Sequence, residues 1–302
     1  MIVVKVIGGL GNQLFQIAYA INVANRFNHD KIYLDITAFE TYKIRSFSAL
    51  NLCLPSNIVV LSNNDLAFKQ RYFFRLTQVC YRVFQKFLKV CGLVNNFGKY
   101  PFKFLSKFGL LYNFDNFHYD TKAINSEVIS IYGYFQSEKY FEECKSIVDN
   151  SFRVKVNPTK NESDYLAIIN SSTSIAVSMR LGTDYTSSKI LNVCDKQFYL
   201  SSIEELKNRI KNPKFFIFSD EIGKAKDYLG DNNDYIYIEG CNDYESLRLM
   251  YSCKHFVISN SSFSWWGAYL SRSSQKIILA PEKWYSDMDK TIDIYNDKMS
   301  KR

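Results

Sequence analysis

An arginine and an aspartate, with a glycine between them, follow one strand-like segment of the sequence. Residues 174–180 are apolar and β-branched and end in Arg180, and Gly182 and Asp184 come just beyond. The planar fork of an arginine can clasp phosphate oxygens while it keeps its charge, and a glycine lets a ligand approach the backbone. We therefore expect an anionic ligand here, with Asp184 either orienting the guanidinium or acting as a base. A structural salt bridge between Arg180 and Asp184 is the alternative interpretation.

Ser219 and Asp220 follow the next strand-like segment, residues 215–218. A carboxylate at this point can accept hydrogen bonds from the N1–H and the amino group of a guanine. The alternative is that Asp220 caps a helix beginning at Glu221, because aspartate is a favoured N-cap residue. The sequence leaves both interpretations open.

The densest run of hydroxyl and amide side chains lies between a predicted strand, 256–259, and a predicted helix, 263–271. Its members are Ser259, Asn260, Ser261, Ser262, Phe263 and Ser264, and two tryptophans follow. Such side chains at the start of a helix can cradle a phosphate without a metal. Capping and core packing would account for the tryptophans but not for four serines together with an asparagine.

A glycine-rich turn, Gly8–Gln13, joins a predicted strand (2–7) to a predicted helix (13–27) near the start of the chain. We expect this turn to present backbone amides, together with Gly11, Asn12 and Gln13, to a sugar or phosphate. A purely structural turn is one alternative. A dinucleotide site with Asp35 as its ribose-binding carboxylate is another, but Leu14 occupies the third glycine position of that motif.

These motifs are predicted to lie where strands end. Strand-like and helix-like segments alternate clearly after residue 157, and the chain opens in the same way, which predicts parallel sheets covered by helices. Ligands bind such sheets at the carboxyl ends of the strands. The polar stretch around Pro158 predicts two domains, residues 1–156 and 157–302, the first with a basic, aromatic helical insertion at about 66–114.

Composition restricts the class of protein. A 47% hydrophobic content over 302 residues indicates a globular chain with a core, and no apolar run approaches the ~20 residues of a membrane span. No cleavable signal segment is visible, so we expect a cytoplasmic protein. Seven cysteines without a Cys-x-x-Cys pair predict neither a disulfide framework nor a zinc site, and three histidines disfavour an imidazole-based metal site.

The net charge of +8 is concentrated in one segment. Between Leu66 and Phe114 there are nine basic residues and no acidic one, interleaved with aromatic residues. One face of this segment would suit an anionic membrane surface, such as the inner face of the plasma membrane, where a lipid-linked oligosaccharide is presented. An ordinary helix with a solvated basic face is the alternative. Nucleic-acid binding is disfavoured because no recognised module accompanies the cations.

Taken together, the motifs resemble those of the bacterial α-1,2-fucosyltransferases, glycosyltransferase family 11. The matching segments keep the order of the family across residues 4–285. They are Gly8–Gln16, Gly133–Phe141, Phe218–Asp220, Asn260–Trp266 and Ala280–Trp284. One motif is altered: where the family has His-x-Arg-Arg-Gly-Asp-Tyr, this chain has Ser178 for the histidine, Leu181 for the second arginine and one added residue before Asp184.

The resemblance implies a GT-B architecture, in which two Rossmann-like domains face each other across a cleft. It also implies GDP-β-L-fucose as the donor, bound mostly by the C-terminal domain, and inversion to an α-L-fucoside. From the motifs and the resemblance together, we expect the donor to contact Gly11, Asn12, Gln13, Arg180, Gly182, Ser219, Asp220, Asn260, Ser261, Ser262, Phe263 and Ser264.

The implied acceptor is a terminal β-galactoside, fucosylated at O2, in a surface glycan such as an O-antigen. Gln136 and Glu138, in the mid-chain motif, are the expected acceptor-binding residues. No cofactor or metal is expected. Asp287-Met288-Asp289 resembles the metal-binding Asp-x-Asp of other glycosyltransferases, but it lies past the last predicted strand and we interpret it as a solvated tail.

For the reaction, we expect Arg180, helped by Ser261 and Ser262, to stabilise the charge that grows on the β-phosphate as the sugar departs. Asp184 is the first candidate for the base, with Glu138 and Asp35 behind it. Three alternatives stay open: a fucosyltransferase of α-1,3 or α-1,6 linkage, a transferase of another GDP-hexose, and a non-catalytic carbohydrate- or nucleotide-binding protein.

Overall fold

The computed structural model describes residues 1–41, 46–62, 65–91, 99–114, 129–286 and 292–302. The chain divides into two compact units, which we call the first and the second unit. The first contains Met1–Phe152 and Ile292–Ile294, and the second contains Arg153–Thr291 and Tyr295–Arg302. The sequence places the boundary at 156/157 and does not anticipate that a short segment near the end of the chain belongs to the first unit.

The first unit is built on a five-stranded sheet. Its strands are β1 (Ile2–Lys5), β2 (Ile32–Asp35), β3 (Ile58–Val60), β4 (Leu110–Asn113) and β5 (Ser130–Gly133). Its helices are α1 (Leu10–Arg26), α2 (Ala38–Thr41), α3 (Phe68–Val90), α4 (Lys99–Ser106) and α5 (Lys145–Ser151), with 3₁₀ helices at Ala49–Asn51 and Glu138–Cys144.

All pairings in this sheet are parallel, in the order β3-β2-β1-β5-β4. β1 lies in the middle, and its residues Ile2 and Val4 are fully buried, as expected for a parallel strand covered on both faces. α1 is apolar on most of its surface, so it packs as a buried helix rather than as a surface helix. The result is a Rossmann-like unit whose β1 leads directly into α1.

The second unit is built on a six-stranded sheet. Its strands are β6 (Thr173–Met179), β7 (Pro213–Ser219), β8 (Tyr235–Tyr237), β9 (His255–Val257), β10 (Ile278–Ala280) and β11 (Met299–Lys301). Its helices are α6 (Lys160–Ser171), α7 (Thr183–Thr186), α8 (Lys196–Arg209), α9 (Ile222–Leu229), α10 (Asp243–Ser252) and α11 (Ser262–Leu270).

This sheet is also parallel throughout, in the order β11-β10-β9-β6-β7-β8. β6 lies between β7 and β9. Met179 is opposite Ser219 in the pairing with β7, and Val177 is opposite Val257 in the pairing with β9. Because these registers bring three strand ends to one edge, the loops after β6, β7 and β9 emerge side by side.

The two-domain α/β prediction of GT-B type is confirmed, since both sheets are parallel and helices alternate with strands. Some elements were missed. β4 lies within the predicted insertion, so the basic segment ends in a strand of the core sheet. α6 begins inside the polar stretch around Pro158 that was interpreted as the boundary, and its N-cap Thr159 accepts a hydrogen bond from the Glu162 amide. β11 lies in a stretch for which no element was predicted, after the segment interpreted as a tail.

Three of the seven cysteines, Cys144, Cys194 and Cys253, are buried. Within the described ranges, no helix is both long enough and apolar enough to cross a bilayer.

Candidate active site

Arg180 lies at the tip of β6, between two carboxylates. One guanidinium nitrogen is 2.6 Å from Asp184 Oδ2, and another is 3.0 Å from Asp220 Oδ2. The Arg180 side chain is 26% exposed and that of Asp184 is 64% exposed, so neither group is sealed from solvent. An anion could reach the guanidinium while Asp220 holds it from the opposite side.

Asp220 connects the tips of β6 and β7. Its Oδ1 accepts hydrogen bonds from the backbone amides of Leu181, at 2.7 Å, and Gly182, at 3.1 Å. The N-cap hypothesis for Asp220 is wrong, because α9 begins one residue later with Glu221 at its N-cap. Ser219 Oγ accepts from the Glu221 amide at 3.1 Å. In this structure both oxygens of Asp220 are used to position the residues after β6.

Gly182 lets Asp184 and Asp220 lie close together on either side of Arg180. A Cβ atom built on it would lie 2.7 Å from Asp184 Oδ1 and 2.8 Å from Asp220 Oδ2. Distances this short force a shift, and Asp220 is held by its bonds to backbone amides. Any side chain at position 182 would therefore push apart the two carboxylates that flank Arg180.

Tyr199, which sequence reasoning missed, holds the backbone of Arg180 at the tip of β6. Its hydroxyl accepts a hydrogen bond from the Arg180 amide at 3.2 Å. The ring is fully buried, and this burial raises the pKa of the hydroxyl well above its usual value. Lys224 adds a contact from α9, donating to the Leu181 carbonyl at 3.1 Å. The backbone that carries Arg180 is thus anchored on both sides.

Asn260, after β9, works as a clamp. Its Nδ2 donates to the carbonyls of Leu191, at 2.9 Å, and Trp284, at 2.8 Å. Its Oδ1 accepts from the Tyr185 hydroxyl at 2.7 Å. Because these bonds use both amide hydrogens and one acceptor site, the side chain has an internal role that the sequence did not reveal.

Tyr185 is the other half of this clamp and was also missed. Its hydroxyl accepts hydrogen bonds from the amides of Val193, at 3.2 Å, and Cys194, at 3.0 Å. Burial is the main cause of its raised pKa and also raises the pKa of the Cys194 thiol to about 11. Both groups therefore stay protonated near neutral pH, and the loop between α7 and α8 is fixed against the loop after β9.

The serines of the expected cradle divide into two kinds. Ser259 and Ser264 are buried, and Ser264 Oγ donates to the Ser259 and Ser261 carbonyls at 3.1 and 3.0 Å. Ser261 is the N-cap of α11, accepting from the Phe263 amide at 3.3 Å. Ser261, Ser262 and Phe263 are partly exposed at the start of the helix. A phosphate-binding role is therefore open to these three residues, while Ser264 serves the local fold.

The tryptophans that follow are core residues. Trp265 and Trp266 are fully buried, with their ring centroids 5.0 Å apart in an edge-on arrangement. Core packing thus explains the tryptophans, as the alternative interpretation held, and internal hydrogen bonds explain Ser264, which that interpretation did not cover.

In the first unit, the turn after β1 is shorter than predicted, because α1 begins at Leu10 and already includes Gly11 and Asn12. Gly8 has a φ of +82°, in the left-handed region that favours glycine. Asn12 Oδ1 accepts from Gln136 Nε2 at 2.6 Å. This contact joins the opening motif to the mid-chain motif. The side chain of Gln136, an expected acceptor contact, is only 7% exposed.

Gln13 is wholly buried and fully bonded. Its Nε2 donates to the carbonyls of Gly8, at 3.0 Å, and Ser46, at 2.8 Å. Its Oε1 accepts from the amides of Ser48, at 3.1 Å, and Ala49, at 3.3 Å. The structure therefore corrects the expected donor-binding role of this side chain: the amide has no bonding capacity left for a ligand.

The remaining carboxylate candidates are each paired with a lysine. Glu138 lies 2.7 Å from the Lys145 ammonium, and a hydrogen bond to Glu138 raises the pKa of Lys145. Asp35 lies 3.1 Å from the Lys5 ammonium and accepts from the Thr37 hydroxyl at 2.7 Å. Asp287-Met288-Asp289 lies outside the described residues.

Comparisons with known proteins agree with this fold. The chain is 30% identical to an α-1,2-colitosyltransferase of Escherichia coli, over 94% of this chain and 92% of that protein. It is 23% identical to the O-antigen biosynthesis glycosyltransferase WbnK of Escherichia coli, over 94% and 95% of the two chains. The fold resembles the fucosyltransferase NodZ from Bradyrhizobium, with a TM-score of 0.52 at 15% identity over 88% of this chain and 91% of that one.

A NodZ structure described as an α-1,6-fucosyltransferase soaked with GDP-fucose has the same likeness, with a TM-score of 0.51 at 14% identity over 89% and 92% of the two chains. The sequence profile of Glycosyl transferase family 11 matches residues 1–299. The chain therefore belongs to glycosyltransferase family 11, and it is a glycosyltransferase with a fucosyltransferase-like fold.

Proposed function

We propose that this glycosyltransferase moves L-fucose from GDP-β-L-fucose onto O2 of a terminal β-galactoside, with inversion at the anomeric carbon. The observation that carries the proposal is the placement of Arg180. Its guanidinium is held between Asp184 and Asp220 at the tip of β6, and its side chain is 26% exposed. This is a fixed cation that an anionic leaving group can approach.

The chemistry needs such a cation. As the acceptor oxygen attacks the anomeric carbon, the bond from that carbon to the β-phosphate oxygen breaks and its electrons stay on the diphosphate. A preorganised guanidinium stabilises this growing charge without reorganising at the moment of reaction. Ser261, Ser262 and the backbone amides at the start of α11 are the proposed neutral contacts to the same phosphates. No metal takes part in this proposal.

Asp184 touches Arg180 directly, which is the contact expected of an orienting residue. It is also the most exposed carboxylate of the cluster, at 64%, so it is the group that can move away when a phosphate arrives. We propose that Asp184 orients the guanidinium first. All three candidate bases are paired with a cation, and Asp184 keeps its place ahead of Glu138 and Asp35 because its side chain is 64% exposed, against 20% and 17% for the other two.

The α-1,2 linkage rests on the resemblance of the motifs and on the name of the colitosyltransferase to which the chain is 30% identical. Gln136 and Glu138 are the proposed acceptor contacts. Gln136 is tied to Asn12, so the acceptor would meet a surface that the opening motif helps to shape.

That same relative favours a second donor, GDP-colitose. Colitose is L-fucose without the 3-hydroxyl, so the two donors share the GDP group and differ at one position of the sugar. A pocket built to bond a hydroxyl rejects the analogue that lacks it far more strongly than an apolar pocket rejects an added hydroxyl. The identity of the donor is therefore a question about polar contacts to O3.

The experiment is a donor and acceptor screen. The protein is incubated with GDP-fucose or GDP-colitose and a panel of β-galactosides, GDP release is measured, and the linkage of each product is assigned by NMR. Acceptor-dependent release with an α-1,2 product from GDP-fucose is the expected result. A preference for GDP-colitose would move the proposal to the second donor, and an α-1,3 or α-1,6 product would overturn the linkage.

Metal independence is checked in the same assay. We expect turnover to be unchanged in EDTA, because the proposed contacts to the diphosphate are a guanidinium, hydroxyls and amides. Activity that disappears with EDTA and returns with magnesium or manganese would contradict this part of the proposal.

A further inference from the structure

Helix α3 has two apolar faces rather than one. Phe74 and Tyr81 point toward the sheet of the first unit, where they join a cluster with Tyr112, and they are 7% and 4% exposed. This face accounts for the attachment of the helix to the fold. The opposite face is also apolar, and it is open to solvent.

The open face is a continuous stripe. Its residues recur at intervals of three or four positions, which places them on one side of an α-helix. They are Tyr72, Leu76, Val79, Val83, Phe87 and Val90, and their side chains are between 46% and 87% exposed. We call these six residues the α3 stripe. A stripe this long on the outer side of a helix needs a covering partner, since isolated exposed apolar residues are ordinary but contiguous ones are not.

Cations lie along the edge of the stripe. Arg75, Arg82 and Lys86 are spaced seven and four residues apart, which puts them in one row, and all three are exposed. No acidic residue occurs anywhere in 66–114. A partner that covers the stripe must therefore accept a row of positive charges that the helix itself does not neutralise.

We propose that the α3 stripe docks on an anionic lipid membrane surface. A helix with an apolar face and a basic flank lies in the plane of the headgroups, its apolar side chains inserted and its cations beside the lipid phosphates. At 1.5 Å per residue, the 23 residues of α3 span about 34 Å of surface. The helix lies on the membrane and does not cross it.

Charge disfavours a second copy of the chain as the occupant. Helix pairing through the α3 stripe would bring the rows of Arg75, Arg82 and Lys86 near each other, and the helix has no acidic residue to pair with them. Like charges at such an interface are repulsive. A lipid surface supplies the missing negative charge, so the charge pattern and the apolar stripe point to the same partner.

A neighbouring segment adds to the surface chemistry. Phe104 and Phe108 are 61% and 60% exposed, with their ring centroids 5.3 Å apart, and the exposed Lys107 lies between them in the sequence. This pair repeats the combination of open aromatic rings and unneutralised charge. It gives a second point at which the first unit can contact headgroups.

The test is co-sedimentation of the full chain with two kinds of vesicle, phosphatidylglycerol mixed with phosphatidylcholine and phosphatidylcholine alone. We expect binding to the anionic vesicles that weakens as salt is added, because salt screens exposed charges. Equal partitioning into both kinds of vesicle, or none into either, would overturn the proposal without the need for any variant.

Two variants separate the charge from the stripe. Lys69→Gln/Arg75→Gln/Lys86→Gln removes three exposed cations of α3 and keeps Arg82, whose guanidinium lies over the Phe114 ring. It should lower the partition coefficient about a hundredfold, since each basic residue near an anionic surface is worth about fivefold. Leu76→Ser/Val83→Ser/Phe87→Ser should lower it by about a hundredfold through lost apolar burial. The matched control, Lys155→Gln/Lys160→Gln/Lys211→Gln, removes the same charge from exposed positions of the second unit and should bind as the unaltered chain does.

The controls also decide between occupants. Sedimentation equilibrium without lipid should show that the apolar variant and the unaltered chain have the same mass. If instead the unaltered chain is a dimer that this variant breaks, a second copy covers the stripe and the membrane proposal fails. Circular dichroism shows whether each variant is folded, and the salt dependence of the unaltered chain stands independently of that result. If the control triple variant lost vesicle binding as fully as Lys69→Gln/Arg75→Gln/Lys86→Gln, the net charge of the chain rather than the α3 surface would be responsible for binding, and the proposal would fail.

Discussion

In the first unit the polar residues after β1 turn inward, whereas in the second unit the residues after β6 carry charge that stays accessible. Gln13 is fully buried and gives both amide hydrogens and both acceptor sites to backbone groups. Arg180 is 26% exposed and touches two carboxylates. Both lie beside strand ends of parallel sheets. Gln13 belongs to a motif that matches the family, and Arg180 is an arginine retained in the altered motif. The difference indicates that the motif of Gln13 maintains the local fold, whereas the motif of Arg180 holds an accessible charge.

If this contrast holds, changes in the first motif should cost stability and changes in the second should cost chemistry. The internal amide contacts should also outweigh the surface ion pairs in the free energy of unfolding.

Gln13→Ala should lower the free energy of unfolding by about 4 kcal/mol. It leaves two carbonyls and two amides without their partner, and an unsatisfied buried polar group costs roughly 1–3 kcal/mol. Calorimetric unfolding measures the change. Gln197→Ala is the matched control, because Gln197 is exposed in α8, and it should change stability by no more than about 0.5 kcal/mol. Equal effects of the two substitutions on the free energy of unfolding would contradict a structural role for the first motif.

Arg180→Ala should lower the rate of GDP-fucose turnover about a hundredfold, corresponding to about 3 kcal/mol of lost transition-state stabilisation. Stability should change little, since the ion pairs of Arg180 are partly exposed. Acceptor-dependent GDP release measures the rate. Arg209→Ala removes an arginine that pairs with Glu205 on the surface, and its turnover should match that of the unaltered chain. Normal turnover by the Arg180 variant would refute the assignment of the charge.

The sequence was sufficient for the parts of the fold that depend on local pattern. Alternating apolar segments predicted both parallel sheets, and Arg180 with Asp184 was found because a charged pair at a strand end is visible in one dimension. The signal for β11 was weak, since only three residues form it and Lys301 is exposed. Its place depends on pairing with β10, which no local pattern records.

The site contains residues whose roles depend on tertiary contacts alone. Tyr185 and Tyr199 look like ordinary core aromatics, and only the folded chain places their hydroxyls against Asn260 and the Arg180 amide. Gln13 shows the opposite error. A polar residue in a turn suggested a ligand contact, but the segment 46–49, far along the sequence, closes over it. A sequence gives the type of a side chain, whereas its free bonding capacity depends on the neighbours that the fold supplies.

Tyr185→Phe should lower the free energy of unfolding by about 2 kcal/mol. The hydroxyl donates to Asn260 and accepts from two amides, and each net hydrogen bond contributes about 0.5–1.5 kcal/mol. Tyr244→Phe is the control, because its hydroxyl accepts one exposed hydrogen bond from Asn242. A loss of turnover as large as that of Arg180→Ala, at unchanged stability, would show that the clamp is part of the chemistry rather than of the scaffold.

Glu205→Gln is the strictest test of the claim that surface ion pairs contribute little to stability. Arg302 and Arg209 bond the Glu205 carboxylate, and the hydrogen bonds from Arg302 are the main reason why its pKa is lowered from 4.5 to about 2. A lowered pKa means that the contribution is present above pH 4.5 and is lost as the pH falls toward 2. Because the side chain is 27% exposed, we expect about 1 kcal/mol rather than the full value of the shift.

The stability of the unaltered chain and of Glu205→Gln should therefore differ by about 1 kcal/mol at neutral pH, and the two should converge between pH 4.5 and about 2. Chemical unfolding at several pH values gives the difference. A gap as large as that of Gln13→Ala would mean that ionic contacts stabilise the second unit as strongly as internal amides stabilise the first. In that case the partial exposure of Arg180 would no longer imply that a phosphate can replace its ion pairs at small cost. The contrast between a first motif that maintains the fold and a second motif that supplies an accessible charge would then not hold for the second motif.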